Sequence, residues 1–285
     1  MNKIDESPQQ GVPNKVYLVG AGPGDPGLIT VRGLSAVRQA TVVIYDRLVH
    51  PSLVEEAPPT ARRIYVGKES GIHCVPQAQI NQLLVKYAAQ GERVVRLKGG
   101  DPFIFGRGGE EAEALVAAGI PFEIIPGVSS AVAVPAYAGI PATHRKVASS
   151  FAVVTGHEEG NKDHSAIDWA RLATAVDTLV ILMGTKALPQ ITAQLIQHGR
   201  APETPVALIH WGTTSDQQTV IGTLADIADK AAAIHVEPPA VTVIGDVVNL
   251  AERLQWFLPT SPASSPSVSV STSDASRPLV DSYSL

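Results

Sequence analysis

Short apolar, β-branched runs along the chain alternate with longer segments in which apolar positions recur at helical spacing. KVYLVG (15–20) is followed by the helix-patterned LITVRGLSAVRQA (28–40) and then by TVVIY (41–45). The alternation continues through RRIYVG (62–67), helix-patterned AQINQLLVKYAAQ (78–90) closed by Gly91, RVVRL (93–97), helix-patterned GGEEAEALVAAG (108–119) and FEIIPG (122–127). Period-two and continuous apolar runs of this length predict strands, and the segments between them predict helices. Five strands with intervening helices make one complete α/β sheet. After the small-residue stretch 129–146 the rhythm restarts with SFAVVTG (150–156), TLVILMG (178–184), PVALIHWG (205–212), QQTVIG (217–222) and AVTVIGD (240–246). Helical patterns over KALPQITAQLIQHG (186–199) and VVNLAERLQWF (247–257) accompany them. The restart predicts two α/β domains, 15–145 and 146–258, preceded by a flexible segment 1–14. Residues 259–285 are rich in Ser and Pro and offer little to bury, which predicts a disordered tail.

Composition narrows the function classes. The chain has 285 residues, 45% of them hydrophobic, and a formal net charge of −5, which argues against a general nucleic-acid binder. A single cysteine, Cys74, rules out an internal disulfide framework. The histidines lack zinc-ligand spacing, so no metal is expected. The N-terminal residues have no signal-peptide apolar stretch, and no run approaches the roughly 18 apolar residues of a membrane span. A soluble chain in a reducing compartment is expected, most simply the cytoplasm.

Three strand-end loops are candidates for ligand binding, because open α/β sheets bind ligands beyond the C-terminal ends of their strands. The first, GAGPGDPG (20–27), satisfies G-x-G-x-x-G, and Asp46 lies near the distance at which a dinucleotide fold places its ribose-binding carboxylate. A pyrophosphate cradle needs backbone N–H donors, however, and Pro23 and Pro26 remove two of them. That disfavours a nicotinamide dinucleotide. The second loop, LKGGDPFIFGRGGEEAEAL (97–115), sets Gly99-Gly100 directly after a strand, Asp101 before Pro102, and Arg107 before an acidic helix start. A carboxylate beside a glycine pair suits a ligand amine or ribose hydroxyls, and the same residues also make an ordinary turn and helix cap. The third, IIPGVSSAVAVPAYAGIPATHR (124–145), leaves room beside small residues for a flat ligand or for close helix packing. Asp46 and Lys68 each follow a strand end, where they serve either a site or the solvated surface.

Taken in order, VGAGPGDPGLIT, YDRLV (45–49), VGK (66–68), RLKGGDPFIFGRGGEE (96–111), PGVSSA and GIPATHR resemble the uroporphyrinogen-III C-methyltransferases of the tetrapyrrole methylase family. The resemblance implies two α/β domains with the active-site cleft between them, assembled as a homodimer. It implies S-adenosylmethionine as methyl donor, S-adenosylhomocysteine as its product, and no metal. The donor would touch Pro23, Gly99, Gly100, Asp101, Ile104, Ser129 and Ser130, then Met183, Gly212, Ala240 and Gly245. The family often has Thr-Ala where this chain has Ser129-Ser130. The implied reaction methylates carbons 2 and 7 of uroporphyrinogen III, giving precorrin-1 and then precorrin-2 for sirohaem and cobalamin synthesis. Asp46 resembles the family's proton acceptor and Lys68 its donor. Arg107 is a candidate base in the family, but an arginine stays protonated to very high pH and is read first as a carboxylate clamp. Glu110 and Arg145 join it in holding the eight-carboxylate acceptor, with Arg47, Lys98 and Lys146 as additions. Three alternatives stand beside this reading: a methylase of the same fold acting on a later precorrin, an NAD-dependent oxidoreductase built on the opening loop, and a binding module without catalysis.

Overall fold

The computed structural model describes residues 15–67, 75–157 and 167–259. Cys74, residues 1–14 and the tail from 260 lie outside the described residues. The first half runs β1 (Val16–Gly20), α1 (Val31–Arg38), β2 (Val42–Tyr45), α2 (Pro51–Glu55), β3 (Arg62–Tyr65), α3 (Gln77–Ala89), β4 (Val94–Lys98), α4 (Gly108–Ala117), β5 (Phe122–Ile125) and α5 (Ser130–Tyr137). Its five strands form one parallel sheet in the order β3-β2-β4-β1-β5. Strand alternation splits the core between two faces. Val19, Val43, Val95 and Leu97 pack under α1 and α2, and Leu18, Ile44 and Val94 pack with Leu84 of α3 and Leu115 of α4. Burial on both faces is why these strands read as nearly continuous apolar runs. The Thr30 side chain caps α1 by accepting from Gly33 N at 3.0 Å, which starts the helix later than its apolar pattern suggests.

The second half runs β6 (Phe151–Thr155), α6 (Trp169–Ala175), β7 (Thr178–Leu182), α7 (Leu188–Gln197), β8 (Pro205–His210), β9 (Gln218–Thr223), α8 (Ile227–Ala233), β10 (Ala240–Ile244) and α9 (Ala251–Leu254). Its sheet has the order β6-β7-β10-β8-β9. Only β6 and β7 pair in parallel, and the other three ladders are antiparallel. The connection from β8 to β9 is too short for a crossover helix, so it closes an antiparallel pair. The faces of this sheet are covered by α6, α7 and α8 on one side and by α5 with the C-terminal turns on the other. Thus α5 follows the last strand of the first sheet but buries Ala131, Val134 and Ala138 against the second. No helix of the described residues is long and apolar enough to cross a membrane.

Candidate active site

The loops leaving β1, β4 and β5 meet at a crossing where only glycine fits. A Cβ added at Gly20 would lie 2.5 Å from the Cα of Gly127 and 2.6 Å from the carbonyl oxygen of Gly100. Gly22 and Gly100 exchange backbone hydrogen bonds at 3.2 and 2.6 Å, so the first and second loops run side by side. Asp101 fastens the third, with Oδ2 accepting from Gly127 N at 3.0 Å and Oδ1 from Phe103 N at 2.8 Å. The turn reading of Asp101 is therefore realised, and each oxygen retains a lone pair for a ligand.

The first loop has almost no donors to offer an anion. Ala21 N donates to the Lys98 carbonyl, Gly22 N to that of Gly100, Asp25 N to Thr213 Oγ1 at 3.1 Å and Gly27 N to Asp25 Oδ1 at 2.7 Å. Pro23 and Pro26 carry no N–H. A dinucleotide pyrophosphate has no cradle here, despite the G-x-G-x-x-G spacing.

Beyond this crossing lies a cavity of about 690 Å³ whose wall is shared by both sheets. Pro23, Gly99, Gly100, Asp101, Ile104, Ser129 and Ser130 line it from the first half. Met183, Gly212 and Ala240 line it from the second, at the C-terminal ends of β7 and β8 and the start of the antiparallel β10. Gly245 does not join them. It follows β10 at the end of that strand away from the cavity, where an added Cβ would run into the Asp177 carbonyl. Arg47, Leu48, His50, Phe105 and Trp211 also line the cavity, and of these only Arg47 entered the sequence reading. The others carried a weak signal: Leu48, His50 and Trp211 closely follow a strand end, and Phe105 lies in the second loop. Phe105, Arg107, Met183, Trp211 and Thr213 all have positive φ, between 46° and 70°. Such backbone costs about 1–3 kcal/mol per residue and concentrates at binding sites. Leu48, Phe103, Ile104, Phe105 and Met183 are 43–54% exposed, which gives this region a large apolar surface.

The charged candidates are not gathered in one place. Asp46, one residue past β2, accepts from Leu48 N through Oδ1 at 3.1 Å and faces Arg96 Nη2 through Oδ2 at 3.5 Å. Arg107 begins α4 and forks onto Glu110 at 2.8 and 2.6 Å, and this bond holds the Glu110 carboxyl below its ordinary range. Arg145 is exposed on the turn closed by His144 and Ala148, outside the cavity lining. Lys68 lies outside the described residues. Lys98 is buried, with Nζ 2.9 Å from Glu111 Oε1, and burial followed by the Arg96 charge pushes its ammonium below the usual lysine range. Sequence reasoning missed Arg96, although a charged residue inside a doubly buried parallel strand is itself a signal. No group of three or more His, Cys, Asp or Glu among the described residues is arranged to hold a metal ion.

Comparison with known proteins agrees with this geometry. The tetrapyrrole (corrin/porphyrin) methylase family matches residues 15–228. The chain is 57% identical over 235 residues to a uroporphyrinogen-III C-methyltransferase of Priestia megaterium, covering 82% of this chain and 98% of that one. It is 52% identical over 240 residues to an S-adenosyl-L-methionine-dependent uroporphyrinogen III methyltransferase of Methanosarcina barkeri, covering 84% and 94%. Among solved structures, the uroporphyrin-III C-methyl transferase of Thermus thermophilus complexed with S-adenyl homocysteine matches with a TM-score of 0.71 and 40% identity, covering 83% of this chain and 94% of that one.

Proposed function

Because the chain belongs to the tetrapyrrole methylase family, we propose that it transfers methyl groups from S-adenosylmethionine to uroporphyrinogen III, at carbons 2 and 7 in turn, giving precorrin-1 and then precorrin-2. The observation that carries the reading is the shared cavity of about 690 Å³ behind a loop in which most amides already donate within the protein and two positions are proline. Its size is that of a small-molecule site, and its polar groups are few and convergent. It suits a donor that carries an adenosyl and an amino-acid group but no phosphate.

S-adenosylmethionine supplies an activated methyl electrophile on a sulfonium. Gly99, Gly100 and Asp101 with Pro23, Ile104, Ser129 and Ser130 would hold it from one side, and Met183, Gly212 and Ala240 from the other. The protein's remaining work is to aim a pyrrole carbon at near-attack distance and to take away a proton. Leu48, Phe103, Ile104, Phe105 and Met183 offer apolar area to the macrocycle. Arg107, presented at the start of α4 with a planar fork, pairs with acceptor carboxylates, and Glu110 orients that fork. Arg145 supports the acceptor from outside the cavity. Each methylation must be matched by loss of a proton, and Asp46, partly exposed beside the cavity-lining Arg47 and Leu48, is the acceptor in this reading. Lys68 is its counterpart as proton donor.

The oxidoreductase alternative is disfavoured by the missing pyrophosphate cradle. The division into two domains near residue 145 is supported by the two separate sheets. The homodimer and the cytoplasmic location stay within this reading on the strength of the resemblance. Anaerobic incubation with uroporphyrinogen III and S-adenosylmethionine, followed by mass measurement, tests the activity: a product heavier by two methylene units is expected. No mass gain in a folded protein that binds S-adenosylhomocysteine would leave the silent-binder alternative standing.

A further inference from the structure

A charge array lies buried under α3 and α4 behind Asp46. The side chains of Arg96 and Lys98 are 4% exposed and that of Glu111 is fully buried. Three donors converge on Glu111 Oε1: Arg96 Nε at 3.0 Å, Lys98 Nζ at 2.9 Å and Gln77 Nε2 at 3.2 Å. Arg96 Nη1 is anchored on the carbonyls of Leu97 at 3.0 Å and Ile44 at 3.4 Å. Those bonds immobilise the guanidinium and leave Nη2 aimed at Asp46 Oδ2, 3.5 Å away.

Such an array contributes little to stability by itself. Removing ions from water costs several kcal/mol each, and apolar residues of similar volume are often as stable or more so. What it supplies here is a rigid cation behind one carboxylate. Asp46 is held at Oδ1 by the Leu48 amide and at Oδ2 by Arg96, so the plane of its carboxylate is set from two directions. The other charged groups around it among the described residues are Lys98 on β4, Glu111 on α4, and Arg47 and His50 on its own loop. We propose that Arg96, locked by Glu111, is the positioning residue that orients Asp46 for proton removal. This rests on the reading of Asp46 as the proton acceptor.

The test is a cycle built from Asp46→Asn, Arg96→Met and their combination, with Arg96→Lys beside them. In Arg96→Met the buried Glu111 still has Lys98 and Gln77 as partners, so the core keeps a neutralised carboxylate. Expected results are a kcat lowered by up to about 10²-fold, the scale of a small misplacement of a catalytic group, with both KM values and S-adenosylhomocysteine affinity nearly unchanged. Arg96→Lys should recover part of the loss. In the Asp46→Asn background, Arg96→Met should cost little more, because the group it positions is already disabled. An equal further loss there would show a general structural role and overturn the proposal. If Arg96→Met fails to fold, the same comparison is made with Arg96→Lys, whose cost must likewise vanish in the Asp46→Asn background. Near-normal turnover of Asp46→Asn would remove both Asp46 and Arg96 from the mechanism, whereas additive losses beside an impaired Asp46→Asn would remove Arg96 alone.

Discussion

A methyl group added at Gly20 would run into backbone, whereas one added at Gly100 would meet only the Ser130 amide at 3.9 Å. The two glycines are therefore required for different reasons. Gly20→Ala forces apart three loops that cannot give, and should cost about 1–3 kcal/mol or more of stability. Gly100 has φ +69°, so a side chain there costs about 1–2 kcal/mol in the backbone, and it projects into ligand space. Gly100→Val should melt only somewhat lower yet lose about 10-fold or more in S-adenosylhomocysteine affinity. Melting curves with and without that ligand separate the cases, since binding raises apparent stability by mass action. An undiminished ligand-induced rise in Gly100→Val would move the donor away from this loop. Arg107 makes a complementary case. Arg107→Lys keeps the charge but loses the fork that now engages Glu110, so the acceptor KM should rise while donor affinity holds. Arg107→Ala should raise it further, and loss of donor binding instead would put Arg107 on the wrong ligand. The sequence made these residues legible because glycine pairs and acidic helix starts leave local signatures. It left Trp211 and Arg96 obscure, because a cavity wall and a buried ion array are built by contacts distant in the chain.

Elements were legible where a run was long enough to show its period. All five strands of the first sheet and the helices α3 and α4 match the runs that predict them to within two residues at each end. The short helices α2, α6 and α8, of five to seven residues, carry too few turns to display a stripe. The antiparallel order of the second sheet was hidden too, since strand direction depends on connections rather than on side-chain alternation. The same limit hid the contact that ties α5 to the opening loop. Tyr137 at the end of α5 donates its hydroxyl to Asp25 Oδ2 at 2.7 Å. Burial, then this bond to the carboxylate, pushes the Tyr137 phenol up from 10.0 to about 12. The folded state thus holds this proton more tightly than the unfolded chain does. Its contribution to stability is complete below about pH 10 and disappears as pH rises toward about 12. Tyr137→Phe should have a shallower alkaline decline in that window, measured as the difference between wild-type and variant unfolding curves. Parallel curves would show that Asp25 and Tyr137 do not share the proton in solution.

At the scale of the whole molecule, the cavity exists only while the two sheets stay together. Apolar packing of Ala131 and Val134 of α5 on the second sheet joins them, and polar and ring contacts add to that seam. Asp25 N donates to Thr213 Oγ1 at 3.1 Å, Gln217 Nε2 donates to the Tyr137 carbonyl at 3.2 Å, and the Arg47 guanidinium stacks 5.8 Å from the Trp211 ring centre. Arg47 and Trp211 both line the cavity, one from each half, so their stacking closes it from opposite sides. An exposed cation–π pair contributes about 0.5–1 kcal/mol, a small share of the stability of a domain. Its loss should therefore matter more to the ligand than to the fold. Arg47→Ala and Trp211→Ala should each lower the melting temperature slightly and weaken S-adenosylhomocysteine binding, Trp211→Ala more because the ring also forms wall. Combining them should cost less than the sum of the single losses, because the second substitution removes a contact already broken. Calorimetric titration of the three variants checks this: affinity losses that add fully would mean that Arg47 and Trp211 act on the ligand separately, and that nothing between them holds the halves of the cavity closed.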